Sequence, residues 1–291
     1  MDVTDLKTIE AVARHGSMNK AAAELNTVQS NITARIRALE DELGTVLFER
    51  HARGVLVTPA GRRLLPFVGR IAKLMGEARA AARDDGVPAG ALMLGSLETT
   101  TALRLSPLLT QFARTYPAVR LAVTAGTTAG LVRDVVASRM DGAFVAGPVA
   151  HPDVHQESVF TEELVLATRP DIDSLKALAA VSDLRIVVFQ AGCSYRQRLE
   201  SYLAGAGIVV ARPLEFGSLD AIVSCVSAGV GITLLPRGVL APAAAYGRIA
   251  IHRMPRELAR VETLFIRRHD AYVSSAMTAF LTMTRQFHRK R

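Results

Sequence analysis

The apolar residues of this chain change period once, near residue 88, and that change constrains the fold more than any other feature. From Val3 to Ala82 they recur every three or four positions, the spacing of helices with one buried face. From Gly90 onward they come in short runs separated by amphipathic stretches, the alternation of strands with helices. With 291 residues the chain has room for two or three compact units. The expectation is therefore α/β overall, with an all-α N-terminal part and an α/β C-terminal part.

In the first part, Val3, Leu6, Ile9, Val12 and Ala13 mark a helix that Gly16 ends as a C-terminal cap, and Ser17 caps a short second helix from Met18 to Leu25. The small Ala21, Ala22 and Ala23 let a third helix approach closely. Asn26-Thr27 makes the turn, with Thr27 as the expected N-cap of a helix from about Val28 to Leu43. Ile32, Ile36, Leu39 and Leu43 give that helix its buried side. The opposite face carries Ser30, Ala34 and Arg37, flanked by Asn31 and Thr33, with Gln29 in the first turn. Three helices with a short turn between the second and third make a helix-turn-helix, and amide and small polar side chains at the start of its last helix suit the major groove. Gly54, between a basic stretch and Val55-Leu56-Val57, reads as a hairpin. Such a wing presents Arg50 and Arg53 to phosphates or the minor groove; a solvated basic loop is the other reading.

Charge supports an anionic partner. The formal net charge is +8, but the excess is spread along the chain, with 13 Lys/Arg against 11 Asp/Glu up to residue 85 and 22 against 16 beyond it. Local clustering is more telling: from Val28 to Lys73 eight basic residues face four acidic ones. Aromatics are only 5% and Trp is absent, which disfavours base-stacking RNA or single-strand binding and leaves duplex DNA.

Thr58 as N-cap and Pro59 at the first helical position start a further helix, along which Leu64, Val68, Ile71, Met75, Ala78 and Ala82 form an a/d seam until Asp84-Asp85-Gly86-Val87-Pro88 ends it. The seam needs a partner, either a second copy or the chain's own body. Pro66 lies in the second turn, where a kink is expected rather than a break.

Beyond Gly90 the pattern gives strands at 91–97, 119–125 and 142–146 with helices at 101–116 and 128–140 between them, hence a parallel sheet. A second set follows: strands at 164–168, 185–189 and 232–235 and helices at 195–203 and 220–228. Two sets imply two lobes. Four strand-to-helix turns are rich in hydroxyls: Ser96 to Thr101 with Glu98, Thr99 and Thr100; Gly126-Thr127-Thr128; Gly192-Cys193-Ser194-Tyr195-Arg196; and Gly217-Ser218. Singly, such residues are ordinary N-caps. Converging on one cleft, they suit a small polar ligand bearing a carboxylate or similar anion, held by Arg196 and the helix N-termini. At a helix start, Cys193 has a thiol that the dipole would acidify, so a redox sensor is an alternative to a structural thiol.

Metal, cofactor and catalytic signatures are missing. Cys193 and Cys225 have no metal-ligand spacing, His151, His155, His252 and His288 are scattered, and there is no phosphate loop, His-Glu-x-x-His or Gly-x-Ser-x-Gly. Glu98 is a lone carboxylate, better suited to orienting a ligand than to acting as a base. The expectation is no metal, no cofactor and no enzyme. The N-terminus lacks the pattern of a signal peptide and no apolar run approaches the ~20 residues of a membrane span, so a cytoplasmic protein is expected and an extracytoplasmic solute-binding protein is not.

Ser17 to Ala23, Gln29-Ser30-Asn31-Ile32-Thr33, Ile36-Arg37-Ala38-Leu39-Glu40, Glu42-Leu43-Gly44, Leu47-Phe48-Glu49-Arg50 and Thr58-Pro59-Ala60-Gly61 together resemble the DNA-binding part of the LysR family of transcription regulators. Gly95-Ser96-Leu97-Glu98, Asp141-Gly142-Ala143 and Ala228 to Pro236 resemble its effector domain, and the likeness covers nearly the whole chain. It implies a winged helix-turn-helix at 1–58, a linker and dimerisation helix at 59–88, and a two-lobed periplasmic-binding-protein-like domain at 89–291. Lobe I would comprise 89–161 and 265–291 and lobe II 162–264, with crossing strands near 160–164 and 261–266 and a last helix at 272–288 returning to lobe I. The expected DNA-binding residues are Ser17, Asn19, Gln29, Ser30, Asn31, Thr33, Ala34, Arg35, Arg37, Arg50 and Arg53; the resemblance implies that Gln29, Ser30, Thr33 and Ala34 contact bases or backbone in the groove and that Arg53 works from the wing. Ser30 stands where Pro is frequent and Ala34 where Arg is frequent, so Arg35 or Arg37 would carry the base contact that Ala34 cannot make. The implied partners are operator DNA, a small-molecule effector, a second copy in a dimer or tetramer, and RNA polymerase. The implied mechanism is a population shift in which the effector bridges the lobes and alters DNA bending. The basic tail, Arg285 and 288–291, reads as solvated or as a weak phosphate contact.

Overall fold

A computed structural model describes residues 1–51, 54–181 and 183–289. The chain divides into two compact units, one of residues 1–84 and 137–139, the other of 85–136 and 140–291.

The first unit opens with α1 (Val3–His15), which a reciprocal capping box starts: Asp2 Oδ1 accepts from the Thr4 and Asp5 N–H groups, and Asp5 Oδ2 accepts from the Asp2 N–H. Gly16, at φ 57°, ends it. Ser17 caps α2 (Met18–Glu24) as expected. Asn26 takes a left-handed φ of 50° in the turn. The N-cap of α3 (Gln29–Leu43) is Val28, which has no side chain to offer. Thr27 is not the cap, because its Oγ1 accepts from Asn31 Nδ2 at 3.1 Å instead. Ile32, Ile36 and Leu39 are buried against Leu6, Ile9, Val12 and Ala21. Leu43, expected in the core, is 40% exposed in the last turn. Strands β1 (Phe48–His51) and β2 (Gly54–Val57) form the hairpin, with Arg50 opposite Val55.

Three contacts fix the hairpin on the helices. The Val55 N–H donates to the Gly16 carbonyl at 2.8 Å. A Cβ on Gly54 would sit 2.6 Å from that carbonyl oxygen, so both close approach and its φ of 136° demand glycine. Glu40 of α3 accepts from the Leu47 and Phe48 N–H groups at 2.7 and 3.1 Å. Thr58 then accepts from Gly61 N–H and donates to the Val46 carbonyl, starting α4 (Pro59–Ala81), which runs on through Pro66. Its seam divides: Val68 is buried in the unit's own core with Leu64 and Ile71 at the margin, whereas Ala78 and Ala82 are exposed. Phe67 and Leu74, seven residues apart on an adjacent face, are 59% and 52% exposed.

The second unit is built on a 7-stranded mixed sheet, in which the parallel set expected at 91–97, 119–125 and 142–146 is joined by antiparallel strands from the rest of the unit. Strands β3 (Gly90–Ser96), β4 (Val119–Ala125) and β5 (Gly142–Ala146) are parallel to one another in the order β4-β3-β5. Between β3 and β4 lie α5 (Glu98–Thr100), a π turn (Thr101–Leu105) and α6 (Ser106–Thr115). Helix α7 (Thr128–Val136) precedes β5 and stops four residues short of the expected end, with Ser138 at φ 58°. The long β6 (Val154–Thr168) contains the expected 164–168 strand as its last third. A 3-10 helix (Leu175–Ala180), β7 (Val187–Phe189), α8 (Ser194–Gly205), β8 (Leu214–Phe216), α9 (Leu219–Ser227), β9 (Thr233–Pro236), α10 (Arg237–Ala245), β10 (Ala250–Arg253) and α11 (Arg256–Ala259) follow. Finally β11 (Arg260–Arg268) returns antiparallel to both β6 and β5, and α12 (Ser275–Arg289) closes the chain.

Two lobes result, joined by the paired strands β6 and β11. In the first, Phe144 of β5 meets Phe265 of β11 edge-on at 5.1 Å and lies 6.3 Å from Phe160 of β6, while Phe280 of α12 packs on Phe112 of α6 at 5.1 Å. Each such pair adds about 0.5–1.5 kcal/mol beyond its buried area. In the second, β9 and β10 flank β6, and β7 pairs in parallel with β8. Gly142 permits the lobe I packing, since a Cβ there would meet the Phe265 ring at 2.3 Å.

Candidate nucleic-acid interface and ligand cleft

On α3 the side chains opposite the core lie open to solvent: Gln29, Ser30, Asn31, Ala34 and Arg37 are exposed and Thr33 half-buried. Gln29 Nε2 donates to Thr33 Oγ1 at 3.1 Å, which holds the amide against the next turn of the helix. Arg35 turns the other way, with its guanidinium 3.0 Å from Asp5 and 3.5 Å from Asp2, and so ties α3 to α1. Arg37 and Arg50 are exposed and make no ion pair among the described residues. Ser17 is occupied as the α2 cap, accepting from Lys20 N–H, and Asn19 is exposed on the first turn of α2. Arg53 lies outside the described residues. Glu40, whose two backbone bonds set the wing, has no legible signal in the sequence because its role depends on where the chain returns after Gly44.

In the second unit a cavity of about 140 Å³ lies between the lobes. Of the residues singled out from the sequence, Glu98, Thr99, Thr127, Cys193 and Tyr195 line it. Phe189 and Phe216, register partners on β7 and β8, form an aromatic wall, and Leu97, Ala125 and Gln190 contribute further. Phe189 ends the strand expected at 185–189, whereas Phe216 lies on a three-residue strand that carries too little periodicity to read; the pairing that makes them a wall is not legible for either.

The remaining candidates face elsewhere. Thr101 Oγ1 donates back to the Leu97 carbonyl, and Thr128 Oγ1 accepts from Ala146 N–H. Thr100 is buried, Ser194 half-buried and Ser218 exposed, none of them lining the cavity. Arg196, expected to hold an anion, is instead clamped by Glu200 at 2.8 Å and Glu215 at 2.6 Å, and these two carboxylates raise its pKa. Ser218 does not cap α9 with its side chain; Glu98 does, its Oε1 accepting from Leu219 N–H at 2.9 Å from the opposite lobe.

Two buried hydroxyls, Thr99 Oγ1 and Tyr195 OH, have no hydrogen-bond partner among the described residues. Burial pushes the Tyr195 phenol up to about 12, offset in part by the neighbouring Thr99 hydroxyl. Burial also pushes the Cys193 thiol up, and this outweighs the Arg196 and Tyr195 N–H groups that face the sulfur. The dipole effect expected to acidify Cys193 is therefore the smaller one. Among the described residues no cluster of His, Cys, Asp and Glu is placed to hold a metal, and no helix is long and apolar enough to cross a membrane.

A family model described as a bacterial regulatory helix-turn-helix protein of the lysR family matches residues 3–62, and one described as the LysR substrate binding domain matches residues 85–289. The chain belongs to the LysR family. It is thus a DNA-binding transcription regulator with an effector-binding domain, and not an enzyme. This LysR-family chain is 41% identical over 285 residues to the HTH-type transcriptional regulator GltR of Bacillus subtilis (strain 168), covering 98% of this chain and 96% of that one. It is 37% identical over 288 residues to the HTH-type transcriptional regulator CzcR of Bacillus anthracis, covering 99% and 98%. Among solved structures, CbnR, a LysR family transcriptional regulator, aligns with a TM-score of 0.64 at 25% identity over 99% of both chains. CbnR complexed with its target DNA aligns at 0.53 and 26%, covering 99% of this chain and 100% of that one. A full-length OxyR variant from Pseudomonas aeruginosa, at 21% identity, shares the fold with a TM-score of 0.70 over 99% and 95%.

Proposed function

We propose that this LysR-family chain binds operator DNA as a homodimer through α3 and the wing, and that a small molecule seated between the lobes of its second unit sets the regulatory state. The observation that carries the reading is the division of α3. Ile32, Ile36 and Leu39 are buried, while Gln29, Ser30, Ala34 and Arg37 present amide, hydroxyl, methyl and guanidinium groups to solvent on the other side. This is a surface that enters a major groove without breaking ion pairs already made. Arg35 is committed to Asp5, so Arg37 takes the base or phosphate contact that Ala34 cannot make.

Dimerisation rests on α4, where Phe67 and Leu74 leave an apolar strip that the unit's own core does not cover. Pairing two copies there sets two recognition helices on neighbouring grooves, roughly 34 Å apart. The cavity between the lobes supports the effector, which would favour one lobe arrangement by differential affinity. Dimers pairing into tetramers, contact with RNA polymerase and a cytoplasmic location belong to the same proposal, as does the assignment of 1–58, 59–88 and 89–291 to reading, pairing and sensing.

Selection of genomic fragments by the purified full chain tests the reading. Enrichment of a short palindromic site that Gln29→Ala and Arg37→Ala both lose supports it. Salt-sensitive binding without sequence preference contradicts it.

A further inference from the structure

We infer that the cleft takes a small, flat, mostly apolar molecule carrying an uncharged or cationic hydrogen-bonding group, and not a carboxylate. The inference rests on the effector reading of the cleft and names the class of molecule that cleft accepts.

Charge is the first argument. Among the described residues, Glu98 is the one carboxylate or basic side chain lining the cavity, and burial raises the Cys193 thiol and the Tyr195 phenol further above neutrality. No described lysine or arginine lines it. The nearest sequence candidate, Arg196, is already held by two carboxylates. A carboxylate ligand would meet a negative charge with no countercharge in a partly desolvated space.

Backbone amides at helix N-termini are the other means of holding an anion, and the chain's own acceptors occupy several of those at the starts of α7, α8 and α9. Leu219 N–H at the start of α9 donates to Glu98. In α7, Gly130 N–H donates to Thr127 Oγ1 at 3.3 Å and Ala129 N–H to the Gly192 carbonyl at 3.2 Å. In α8, Tyr195 and Arg196 N–H face the Cys193 sulfur. An anion seated at the start of α9 would have to displace Glu98 and still share the cleft with it.

What the cavity offers instead is complementary to a neutral or cationic ring. Phe189 and Phe216 stand side by side with Leu97 near them, a wall for an aromatic face. Thr99 Oγ1 and Tyr195 OH, buried near each other and without a hydrogen bond of ordinary geometry among the described residues, can between them donate and accept. Glu98 Oε2, without a hydrogen bond among the described residues, can accept from an N–H or O–H of the ligand. A volume of about 140 Å³ suits a single ring with a short substituent.

Isothermal titration of the full chain with benzylamine, benzyl alcohol and benzoate, three probes of one size, tests this. The expected result is that benzylammonium and benzyl alcohol each bind at least about tenfold tighter than benzoate. Glu98→Gln keeps the α9 cap, because its amide oxygen still accepts from Leu219 N–H; it should weaken benzylammonium about tenfold and strengthen benzoate. Ala125→Phe, which fills the cavity from the end of β4, should abolish all binding. Benzoate binding tightest, or Glu98→Gln leaving the affinities of benzylammonium and benzoate unchanged, overturns the ligand class while leaving the cleft as the site. Failure of all three probes to bind, or binding indifferent to Ala125→Phe, overturns the cleft itself and the class with it.

Discussion

The two regions proposed to read DNA and to hold a ligand are built in opposite ways. On α3, neighbouring residues of one helix point outward into water, and the guanidinium of Arg37 has no partner among the described residues. In the cleft, the groups come from turns some 120 residues apart in the case of Glu98 and Leu219, and several are already engaged: Glu98 with Leu219, Thr127 with Gly130, Cys193 against the first amides of α8. A DNA face gains from staying solvated until phosphates displace its counterions. A cleft that selects one small molecule gains from satisfying its polar groups internally, so that only a ligand matching the leftover hydroxyls is admitted.

Disturbing the scaffold of one region should leave the other intact. Phe144→Ala empties the aromatic centre of lobe I and should destabilise the second unit by about 3–5 kcal/mol. Calorimetry with hydrogen exchange should show this loss confined to residues beyond 85, with α3 still protected. Equal deprotection of α3 would show that the two regions are one cooperative structure. Glu40→Ala is the next largest, at about 1–3 kcal/mol, because it leaves the Leu47 and Phe48 N–H groups without their acceptor. Exchange should accelerate across 47–57 and DNA affinity should fall, with ligand titrations unchanged.

How legible each region is in the sequence follows from the same contrast. The recognition face can be read because one helix has one period, and burying Ile32, Ile36 and Leu39 dictates which residues face out. The errors there come from competition between nearby polar groups, as where Thr27 bonds Asn31 rather than capping α3. In the second unit the pattern locates the turns but not the partners of their side chains. A Thr or Arg at a helix start satisfies whichever partner the tertiary fold brings near, so Arg196 goes to Glu200 and Glu215, and Thr101 to the Leu97 carbonyl. The short β7 and β8, and the antiparallel return of β11, depend on long-range pairing that no local pattern encodes.

Two smaller effects sharpen the picture of the cleft. At pH 7 the Cys193 thiol, held above its ordinary range by burial, should react with iodoacetamide more slowly than a free thiol and give no sulfenic acid with millimolar-scale peroxide; mass spectrometry of the treated chain reads both. Rapid oxidation at Cys193 would instead make the cleft a redox site. Tyr195→Phe removes a hydroxyl that has no partner among the described residues, so thermal stability without ligand should be unchanged or rise by up to about 1 kcal/mol, while binding of benzyl alcohol weakens. A clear loss of stability would mean that the phenol is satisfied in the empty cleft.

On the proposed reading α3 specifies sequence while the wing positions the protein on the backbone. Fluorescence anisotropy with the selected site and a scrambled duplex, each at two salt concentrations, tests it on the wild type, Arg37→Ala and Arg50→Ala. Arg37→Ala should cost about 1–3 kcal/mol on the selected site and much less on the scrambled one, whereas Arg50→Ala should weaken both alike and reduce the salt slope by about one. Equal losses on both duplexes for Arg37→Ala would contradict the assignment of sequence reading to the exposed face of α3.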